Sequence, residues 1–508
     1  MFYSLFKMIL RPVLQDIKNI GYYLGKVILG LGMTFILPLV VAVVFKEKNP
    51  TLDFLISFSV TMLFGYLLSL ICYSEEDLTW MQGMIVVSLA WGAASLFGAL
   101  PLFLSGHWHS FLDAVFDSMS GFATTGLSLA QGMDKLSYAH NFWRHLIMFI
   151  GGQGIAIVAL SFLVKGISGA FKMYVGEARD EKVLPNVIGT ARFIWLVSIV
   201  YLVLGTLAIG FVGILEGIKP VNAFFHGACL FMAAFDTGGF APQSQNILYY
   251  HSFSIEVITI VIMFLGAINF KLHYYVWTGN WREVYRNIEM RVLTITILAV
   301  FGISCAGLFK DASYPSAIML FRKGFYQIIS GHTGTGFMTI YPAQFKAQWN
   351  DLALTGLVLA MMLGGAICST TGGIKILRVG IIFKALWQDI KRIIVPERAV
   401  IMQKVHHIKD LFLEDKQVRS VFLITVSYLA LYFLGSLIAM FYGYGFLESL
   451  FESASAAANV GLSCGITSVD MPAGLKITYI LQMWAGRLEF MSIFALLGFI
   501  WAALKGKS

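Results

Sequence analysis

Four short glycine-containing segments recur along the 508-residue chain and have the composition of a carbonyl ligand ring. In each segment one glycine is followed by Phe or Leu, and we name it the anchor glycine. A dehydrated monovalent cation needs oxygens in place of its water shell, which main-chain carbonyls from converging loops can supply. Glycine fits because pointing successive carbonyls into one channel requires backbone dihedrals that a Cβ penalises. The predicted ligands are Thr124, Thr125, Gly126, Thr237, Gly238, Gly239, Gly334, Thr335, Gly336, Asn459, Val460 and Gly461.

The same glycines have a simpler alternative explanation, because small residues allow close helix packing in any membrane bundle. One such segment would not distinguish a ligand loop from a packing contact. Four segments in matching positions, all predicted on one side of a membrane, favour a cation filter.

A second glycine-rich stretch interrupts the long apolar segment at 350–381. Four glycines flank three hydroxyl residues: Gly364, Gly365, Ser369, Thr370, Thr371, Gly372 and Gly373. Such a run does not sustain a regular helix, since each glycine costs about 1 kcal/mol relative to alanine. Directly below the filter it would form a flexible loop that blocks the channel. The alternative is a kinked helix that packs tightly through its glycines.

Two basic residues lie within predicted apolar segments, where a charged side chain is energetically costly. Arg487 is the arginine inside the last apolar segment, about 15 residues from its end and so about 22 Å away along a straight helix. A charge at that depth is costly and usually functional. The alternative is a local ion pair with Glu489 or another buried carboxylate. Lys375 ends the broken stretch and either binds carboxylates of the loop or of a gating partner, or snorkels to the cytoplasmic interface.

The composition predicts a polytopic α-helical membrane protein. Hydrophobic residues make up 58% of the chain and charged residues 13%, against about 25% charged in soluble domains. These values exclude a soluble enzyme, a disordered chain and a nucleic-acid-binding domain, in spite of the net charge of +8. Ten apolar segments are long enough to span a membrane, at 22–45, 52–72, 82–104, 142–165, 190–214, 253–277, 292–309, 350–381, 419–442 and 474–503.

The distribution of basic residues predicts the orientation. Most of the 36 Lys and Arg residues fall in the N-terminal segment, the C-terminal tail and the loops near 165–192, 271–291 and 375–419. An even number of spans places both termini on that side, the cytoplasm. Four stretches on the opposite side are too short to cross the hydrocarbon and are predicted as re-entrant helices, at 111–122, 222–235, 315–330 and 446–458.

Span, short helix, glycine segment and span therefore repeat four times. The predicted fold is an all-α polytopic membrane protein with ten transmembrane helices. It has four pseudo-fourfold M1-P-M2 repeats around one pore, preceded by an N-terminal interfacial helix and a two-helix hairpin. The short helices aim the negative ends of their dipoles at the pore, which favours a cation. The predicted boundaries are 1–78 for the N-terminal part and 79–168, 169–285, 286–400 and 401–508 for the repeats.

Further motifs follow the four glycine segments in a fixed order: FIGGQGI at 149–155, GAINFKLHY at 266–274, GGAICSTTGGIK at 364–375 and GRLE at 486–489. With them the chain resembles the superfamily of bacterial, fungal and plant potassium transporters built from four span-loop-span repeats. Within it the chain is similar to the TrkH/TrkG family of the Trk potassium uptake system. Two spans precede the first repeat, and the shorter KtrB-like branch lacks them.

The resemblance implies potassium uptake by a multi-pass homodimer of the bacterial inner membrane, as a channel or an ion-coupled symporter. In this family a glycine in all four segments goes with potassium selectivity, and a serine in the first goes with sodium permeation. The resemblance also implies that the broken stretch is the gate and that Arg487 is a barrier beneath the filter. The implied partner is TrkA, a cytosolic ring of nucleotide-binding subunits. It would dock on the basic loop at 375–419, which anionic membrane lipid could occupy equally.

One residue departs from the family pattern: Asp236 stands where an asparagine is expected. Its carboxylate would either raise the local cation concentration or cap the loop. Capping is the favoured interpretation.

Motifs for other chemistry are missing from the sequence. It contains no GxxxxGK[ST] phosphate loop and no strand-bound GxGxxG, so no ATP or dinucleotide site is predicted in this chain. His107 and His109 form one HxH pair, for which metal binding is disfavoured. Two other classes are alternatives. A secondary transporter of another cation or small solute predicts inverted repeats, and a membrane-embedded transferase or hydrolase needs an acid–base or metal constellation.

Overall fold

The computed structural model describes residues 12–154, 173, 187–311, 313–396 and 402–505. The first eleven residues of the predicted interfacial helix lie outside this part of the chain. So do the second half of the segment at 142–165 and most of the basic loop at 165–192.

Helices make up most of the described chain. In chain order the α-helices are Leu14–Thr34, Ile36–Val44, Lys48–Ile71, Trp80–Leu104, Phe111–Phe122, Tyr138–Gln153, Val187–Leu215, Pro220–Phe235, Phe253–Ala267, Phe270–Trp277, Arg282–Arg286, Ile288–Lys310, Ala317–Met319, Tyr326–His332, Pro342–Gln348, Asp351–Met362, Ile376–Ile394, Asp415–Phe441, Phe446–Ala457, Ala473–Arg487 and Met491–Lys505. A π-helical turn spans Leu320–Phe325, and 3₁₀ turns span Met133–Lys135 and Asn246–Tyr250.

The long helices agree with a multi-span membrane protein. Among the described residues six helices are long and apolar enough to cross a membrane, and two bent pairs raise the number to eight. The predicted segments at 142–165 and 350–381 contain shorter described helices, Tyr138–Gln153 and Asp351–Met362.

Two predicted continuous spans, 253–277 and 474–503, are each divided by a sharp bend, which corrects the sequence-based interpretation. The bent pairs are Phe253–Ala267 with Phe270–Trp277, at 103°, and Ala473–Arg487 with Met491–Lys505, at 113°. In the second bend Glu489 and Phe490 have φ of +48° and +72°, values that end a right-handed helix. Arg487 is therefore the last residue of its helix, and the segment after it does not continue as the same straight helix.

Four short helices lie at the positions predicted for re-entrant helices, and we name them half-helices 1 to 4. They are Phe111–Phe122, Pro220–Phe235, the consecutive turns from Ala317 to His332, and Phe446–Ala457. Each ends immediately before its glycine segment. Their C-terminal halves are buried, so the glycine segments lie inside the protein.

A small β-hairpin in the basic loop at 375–419 is an addition to the all-α prediction. Strands β1 (Lys404–His407) and β2 (Lys409–Phe412) pair antiparallel through a turn at Ile408, whose φ is +62°. Hydrogen bonds from Lys404 and His406 hold the pKa of the Asp410 carboxyl below its usual value. Charged side chains thus link the two strands of the hairpin, which follows the helix Ile376–Ile394.

Candidate functional site

All four half-helices end in the same backbone turn. The N–H of the residue before each anchor glycine donates to the carbonyl five residues earlier, at 2.7–2.8 Å. These bonds join Thr125 to Ser120, Gly238 to Ala233, Thr335 to Ser330 and Val460 to Ser455. The residue before each donor is left-handed, with φ of +53° at Thr124, +51° at Thr237, +68° at Gly334 and +56° at Asn459. This combination is the Schellman motif, which ends a helix.

The four anchor glycines close a ring. At each one, the position that a Cβ would take lies against the carbonyl oxygen of the residue before another loop's anchor glycine. The pairs are Gly126 with Gly238, Gly239 with Thr335, Gly336 with Val460 and Gly461 with Thr125. Because the fourth loop meets the first, the four loops form one closed cycle in chain order. Every anchor glycine also has a φ between +72° and +97°, so conformation and space both require glycine.

Side chains also join neighbouring glycine segments, which we name filter loops 1 to 4 after their predicted role. The Asn459 amide donates to the Thr125 hydroxyl at 3.0 Å, which connects the fourth loop to the first. The same amide nitrogen lies 3.0 Å from the carbonyl oxygen of Met483, on the helix that follows. The predicted ligand positions are therefore brought together by both backbone and side-chain contacts.

A glycine in the second span of three repeats touches the end of the preceding half-helix. A Cβ at Gly151, Gly266 or Gly486 would collide with the carbonyl oxygen of Phe122, Phe235 or Ala457, respectively. Each of these carbonyls belongs to the last helical residue before a glycine segment. The glycine motifs that follow the filter segments thus allow the second spans to pack directly beneath the ring.

The broken stretch of the third repeat, residues 363–375, is an irregular loop, which we name the gate loop after its predicted role. Its two ends meet in a parallel bridge between Leu363 and Ile374. The N–H of Gly364 donates to the carbonyl of Ile374 at 2.9 Å, and that of Ile376 donates to Gly365 at 3.0 Å. The gate loop is therefore closed at its base and is not a kinked helix.

The gate loop contacts two of the filter loops from below. The Thr370 hydroxyl lies 3.2 Å from the Thr237 hydroxyl and 2.9 Å from the carbonyl oxygen of Phe235, where half-helix 2 ends. On the other side, a Cβ at Gly372 would collide with Ala458 and Asn459 of the fourth loop. The loop thus bridges the second and fourth loops of the ring.

The remaining predicted gate residues shape the loop internally. The Ser369 hydroxyl donates to the Ala366 carbonyl at 2.6 Å and lies 2.9 Å from the Thr371 hydroxyl. Thr371 in turn accepts the N–H of Gly365 at 2.9 Å. Gly373 has a φ of +69°, which lets the chain return to the bridge.

Arg487 joins the gate loop to the first filter loop. Its guanidinium donates to the Thr370 carbonyl at 2.6 Å, the Gly151 carbonyl at 2.5 Å and the Thr124 hydroxyl at 3.2 Å. It also lies 5.6 Å from the ring centroid of Trp91. A fixed positive charge is therefore held directly beneath the ring by uncharged acceptors.

Glu489, the partner considered for Arg487, binds other cations. It forms an ion pair with Arg378 and lies 3.9 Å from the Lys375 ammonium. Lys375 is 4% exposed and donates to the carbonyl and hydroxyl oxygens of Thr371. Snorkelling of Lys375 to the interface is thus wrong, because its ammonium turns inward to the gate loop.

Asp236 directly follows half-helix 2, and its side chain contacts the end of the first repeat. Capping of the loop by this carboxylate stays a prediction. Asp236 is fully buried, and its carboxylate accepts the Gln153 amide at 2.9 Å, while the Gln153 oxygen accepts the Ser198 hydroxyl at 3.1 Å. A Cβ at Gly152 would collide with the Asp236 side chain. This carboxylate therefore links two repeats beside the filter.

The sequence interpretation missed the contacts that Glu289 makes with two distant segments. Glu289 accepts the N–H of Ile367 in the gate loop at 2.7 Å and is 1% exposed. Its carboxylate also lies 3.6 Å from His407 of the β-hairpin. A buried acid at the start of a span was the available signal, but its partners lie about 80 and 120 residues away.

No group of three potential metal-binding side chains occurs within the described residues.

A closed ring of inward-turning loops above an irregular intramembrane segment is the architecture of a polytopic ion-transport protein. The sequence matches the TrkH family, described as a cation transport protein, over residues 51–289 and 284–500. The chain belongs to this family, which is one of transporters and not of enzymes.

Relatives match over almost their full lengths. An uncharacterized cation transporter of Methanocaldococcus jannaschii is 32% identical, over 96% of this chain and 97% of the relative. The Trk system potassium uptake protein TrkG of Escherichia coli is 28% identical, over 96% and 99%. The crystal structure of the potassium transporter TrkH from Vibrio parahaemolyticus matches with a TM-score of 0.80 and 25% identity, covering 95% of this chain and 98% of that chain. The predicted all-α polytopic fold is confirmed.

Proposed function

We propose that this protein carries potassium into the cell through the ring formed by the four glycine segments. The single observation that supports this proposal best is the closed cycle of anchor glycines and neighbouring carbonyls. Such a ring replaces the hydration shell of a monovalent cation with main-chain oxygens. Two of the relatives described above are named for potassium uptake or potassium transport, and glycine at all four anchor positions agrees with potassium selectivity. The membrane potential would drive entry with about 2.3 kcal/mol per charge per 100 mV.

The gate loop and Arg487 together would close the inner side of this pathway. The loop lies against the second and fourth filter loops, and Arg487 ties it to the first. A guanidinium beneath the ring also opposes a cation electrostatically, because a charge in a low-dielectric passage is weakly screened. Opening therefore requires the loop to leave these contacts.

We further propose an arrangement in the cytoplasmic membrane with both termini inside, in a homodimer. The basic loop at 375–419, which carries the β-hairpin, would dock a cytosolic nucleotide-binding subunit of the TrkA type. Such a partner supplies the nucleotide site that the sequence motifs do not predict in this chain.

Potassium and sodium flux into proteoliposomes tests the ion assignment. Gly126→Ser should admit sodium, because its side chain would enter the space next to the Gly238 carbonyl. Gly92→Ser is the matched control, since a Cβ at Gly92 meets no atom within 4 Å. An unchanged preference for potassium in folded Gly126→Ser would contradict the filter assignment.

Complementation tests the physiological direction and the partner. A strain deficient in potassium uptake should grow at low external potassium when it expresses this chain with a TrkA-type subunit. Equal growth with and without that subunit would remove the partner from the proposal. No growth in either case, with protein present in the membrane, would contradict potassium uptake.

A further inference from the structure

The chain that follows each anchor glycine, which we name the return limb, is held by a different polar group in each repeat. The return limbs are residues 127–130, 240–246, 337–341 and 462–467. Their attachment matters because each limb begins at the glycine that borders the carbonyl ring. A limb that shifts would move the adjacent carbonyls, and filter carbonyls determine which ion fits.

In the fourth repeat the return limb wraps around one carboxylate. Glu452 of half-helix 4 is fully buried and accepts hydrogen bonds from the N–H groups of Cys464, Gly465 and Ile466, at 3.0–3.2 Å. Two hydroxyls complete the set, from Ser463 at 2.5 Å and Thr467 at 2.8 Å. Every one of these groups is a donor, which suits an ionised carboxylate acting only as an acceptor. Successive backbone N–H groups of this kind form an anion-binding nest.

In the first repeat a buried carboxylate also holds the return limb, but with fewer hydrogen-bond donors. Asp117 of half-helix 1 is fully buried and accepts the N–H of Leu129 and the hydroxyl of Ser128, both at 2.6 Å. The Arg144 guanidinium lies 3.3 Å from the Ser128 hydroxyl and 4.2 Å from the ring centroid of Phe240. Phe240 directly follows an anchor glycine, so this network extends from the first return limb to the second.

The two carboxylates occupy the same register in their repeats. Asp117 and Glu452 each lie nine residues before their anchor glycine, where the other repeats have Leu230 and Gln327. Gln327 makes a single hydrogen bond to its return limb, to the Thr339 hydroxyl at 3.0 Å. The acidic positions therefore belong to the first and fourth repeats alone.

The first and fourth loops are also neighbours in the ring. A Cβ at Gly461 would collide with the Thr125 carbonyl oxygen, and the Asn459 amide binds the Thr125 hydroxyl. At this register, buried acids thus lie behind the first and fourth loops, and the neutral residues Leu230 and Gln327 lie behind the second and third.

We propose that Asp117 and Glu452 are positioning residues that set the discrimination between potassium and sodium. They clamp the return limbs of the first and fourth loops, which keeps the carbonyl ring from contracting around the smaller sodium ion. Neither residue is a ligand, because each acts through the limb it holds. The inference rests on the proposed potassium function and deepens it by naming what fixes the size of the ring.

The test is the potassium-to-sodium permeability ratio of purified protein in proteoliposomes, with the potassium concentration for half-maximal flux as a second readout. Glu452→Gln keeps the shape but removes the charge and one acceptor. It should lower the ratio about tenfold, which corresponds to about 1.4 kcal/mol. Asp117→Asn should lower it less, since Asp117 holds fewer donors. Leu230→Met is the matched control at the same register and should leave the ratio unchanged.

A second pair of variants covers the case in which Glu452→Gln does not fold. Ser463→Ala and Thr467→Val each remove one donor and leave the carboxylate with its backbone nest. A lowered ratio in the double variant supports the clamp. Folded variants of either set with the parental ratio would overturn it. A parent protein that shows no preference for potassium would instead contradict the proposed function, so the two failures are distinguishable.

Discussion

The filter loops repeat one backbone geometry four times, whereas the gate loop beneath them occurs in the third repeat. In the filter, each half-helix ends in the same Schellman turn, and each anchor glycine meets a carbonyl of another loop. Below the filter, the second spans diverge. Those of the second and fourth repeats bend within two or three residues, and that of the third opens into residues 363–375.

Under the proposed function, this difference separates the selection of the ion from the control of its flux. A ring of equivalent carbonyls surrounds a spherical ion evenly, so selection benefits from four matching loops. A closure needs only one element that moves, and a single loop with its own contacts can leave while the ring stays intact. The contacts below the ring are accordingly unequal: Thr370 and Gly372 touch the second and fourth loops, and Arg487 touches the first.

The largest expected effect comes from breaking the repetition in the ring. Gly336→Ala should abolish potassium uptake, because its φ is +81° and its Cβ would collide with the Val460 carbonyl oxygen. A left-handed conformation by itself costs a non-glycine residue about 1–2 kcal/mol. Gly217→Ala is the control, since φ there is +89° but a Cβ meets no atom within 4 Å. Equal uptake by the two variants would show that the ring does not need its glycines.

Removing part of the gate loop should have the next largest effect. Deletion of Thr370 and Thr371 should leave a pore that leaks without its partner, with flux raised at least about tenfold, as expected for a barrier lowered by about 1.4 kcal/mol. Selectivity should remain, because the ring is built by other residues. Low flux through folded, monodisperse protein would place the gate elsewhere.

Arg487→Ala should raise conductance by less than the deletion, since the gate loop itself stays in place. The change removes the positive charge and the bonds to Thr370 and Gly151. Arg487→Lys keeps the charge but not the forked donor geometry, and should stay closer to the parent protein. Single-channel or flux measurements distinguish the two. A fall in conductance with folding intact would indicate that Arg487 is chiefly structural.

The smallest expected effect concerns the hydrogen bond that attaches the gate loop to the helix Ile288–Lys310. Glu289→Ala removes the acceptor of the Ile367 N–H and should raise basal flux about threefold, if the closed loop loses about half of a hydrogen bond worth about 1.5 kcal/mol. Glu283→Ala is the matched control, because Glu283 accepts from His406 of the hairpin. Identical flux in both variants would show that Glu289 does not restrain the gate.

Local sequence patterns predicted the four half-helices and their glycine segments well. The half-helices begin and end within a few residues of the predicted bounds, because short apolar runs followed by glycine segments determine them locally. The left-handed residues before the anchor glycines were less visible. Thr124, Thr237 and Asn459 adopt a left-handed conformation that glycine favours. Asparagine visits this conformation more readily than most residues, but nothing in a threonine indicates it.

The gate loop and the two bends depended on contacts between distant segments, which the sequence does not reveal. The bend at 268–269 puts the Gly266 carbonyl within reach of the Thr370 hydroxyl, at 3.0 Å, and the bend after Arg487 turns Glu489 toward Arg378. Periodicity and hydropathy report how apolar a segment is. They do not report where another repeat will interrupt it, so both segments were predicted as continuous spans.

The sequence alone therefore determined the class of the protein, the four repeats, the glycines of the ring and the position of the broken span. These follow from composition and from spacing along the chain. The tertiary structure decided that Arg487 binds carbonyl oxygens beneath the ring, that Lys375 turns inward and that Glu452 holds a return limb. A buried charge must find partners wherever the fold brings polar groups together, and those partners are up to hundreds of residues apart.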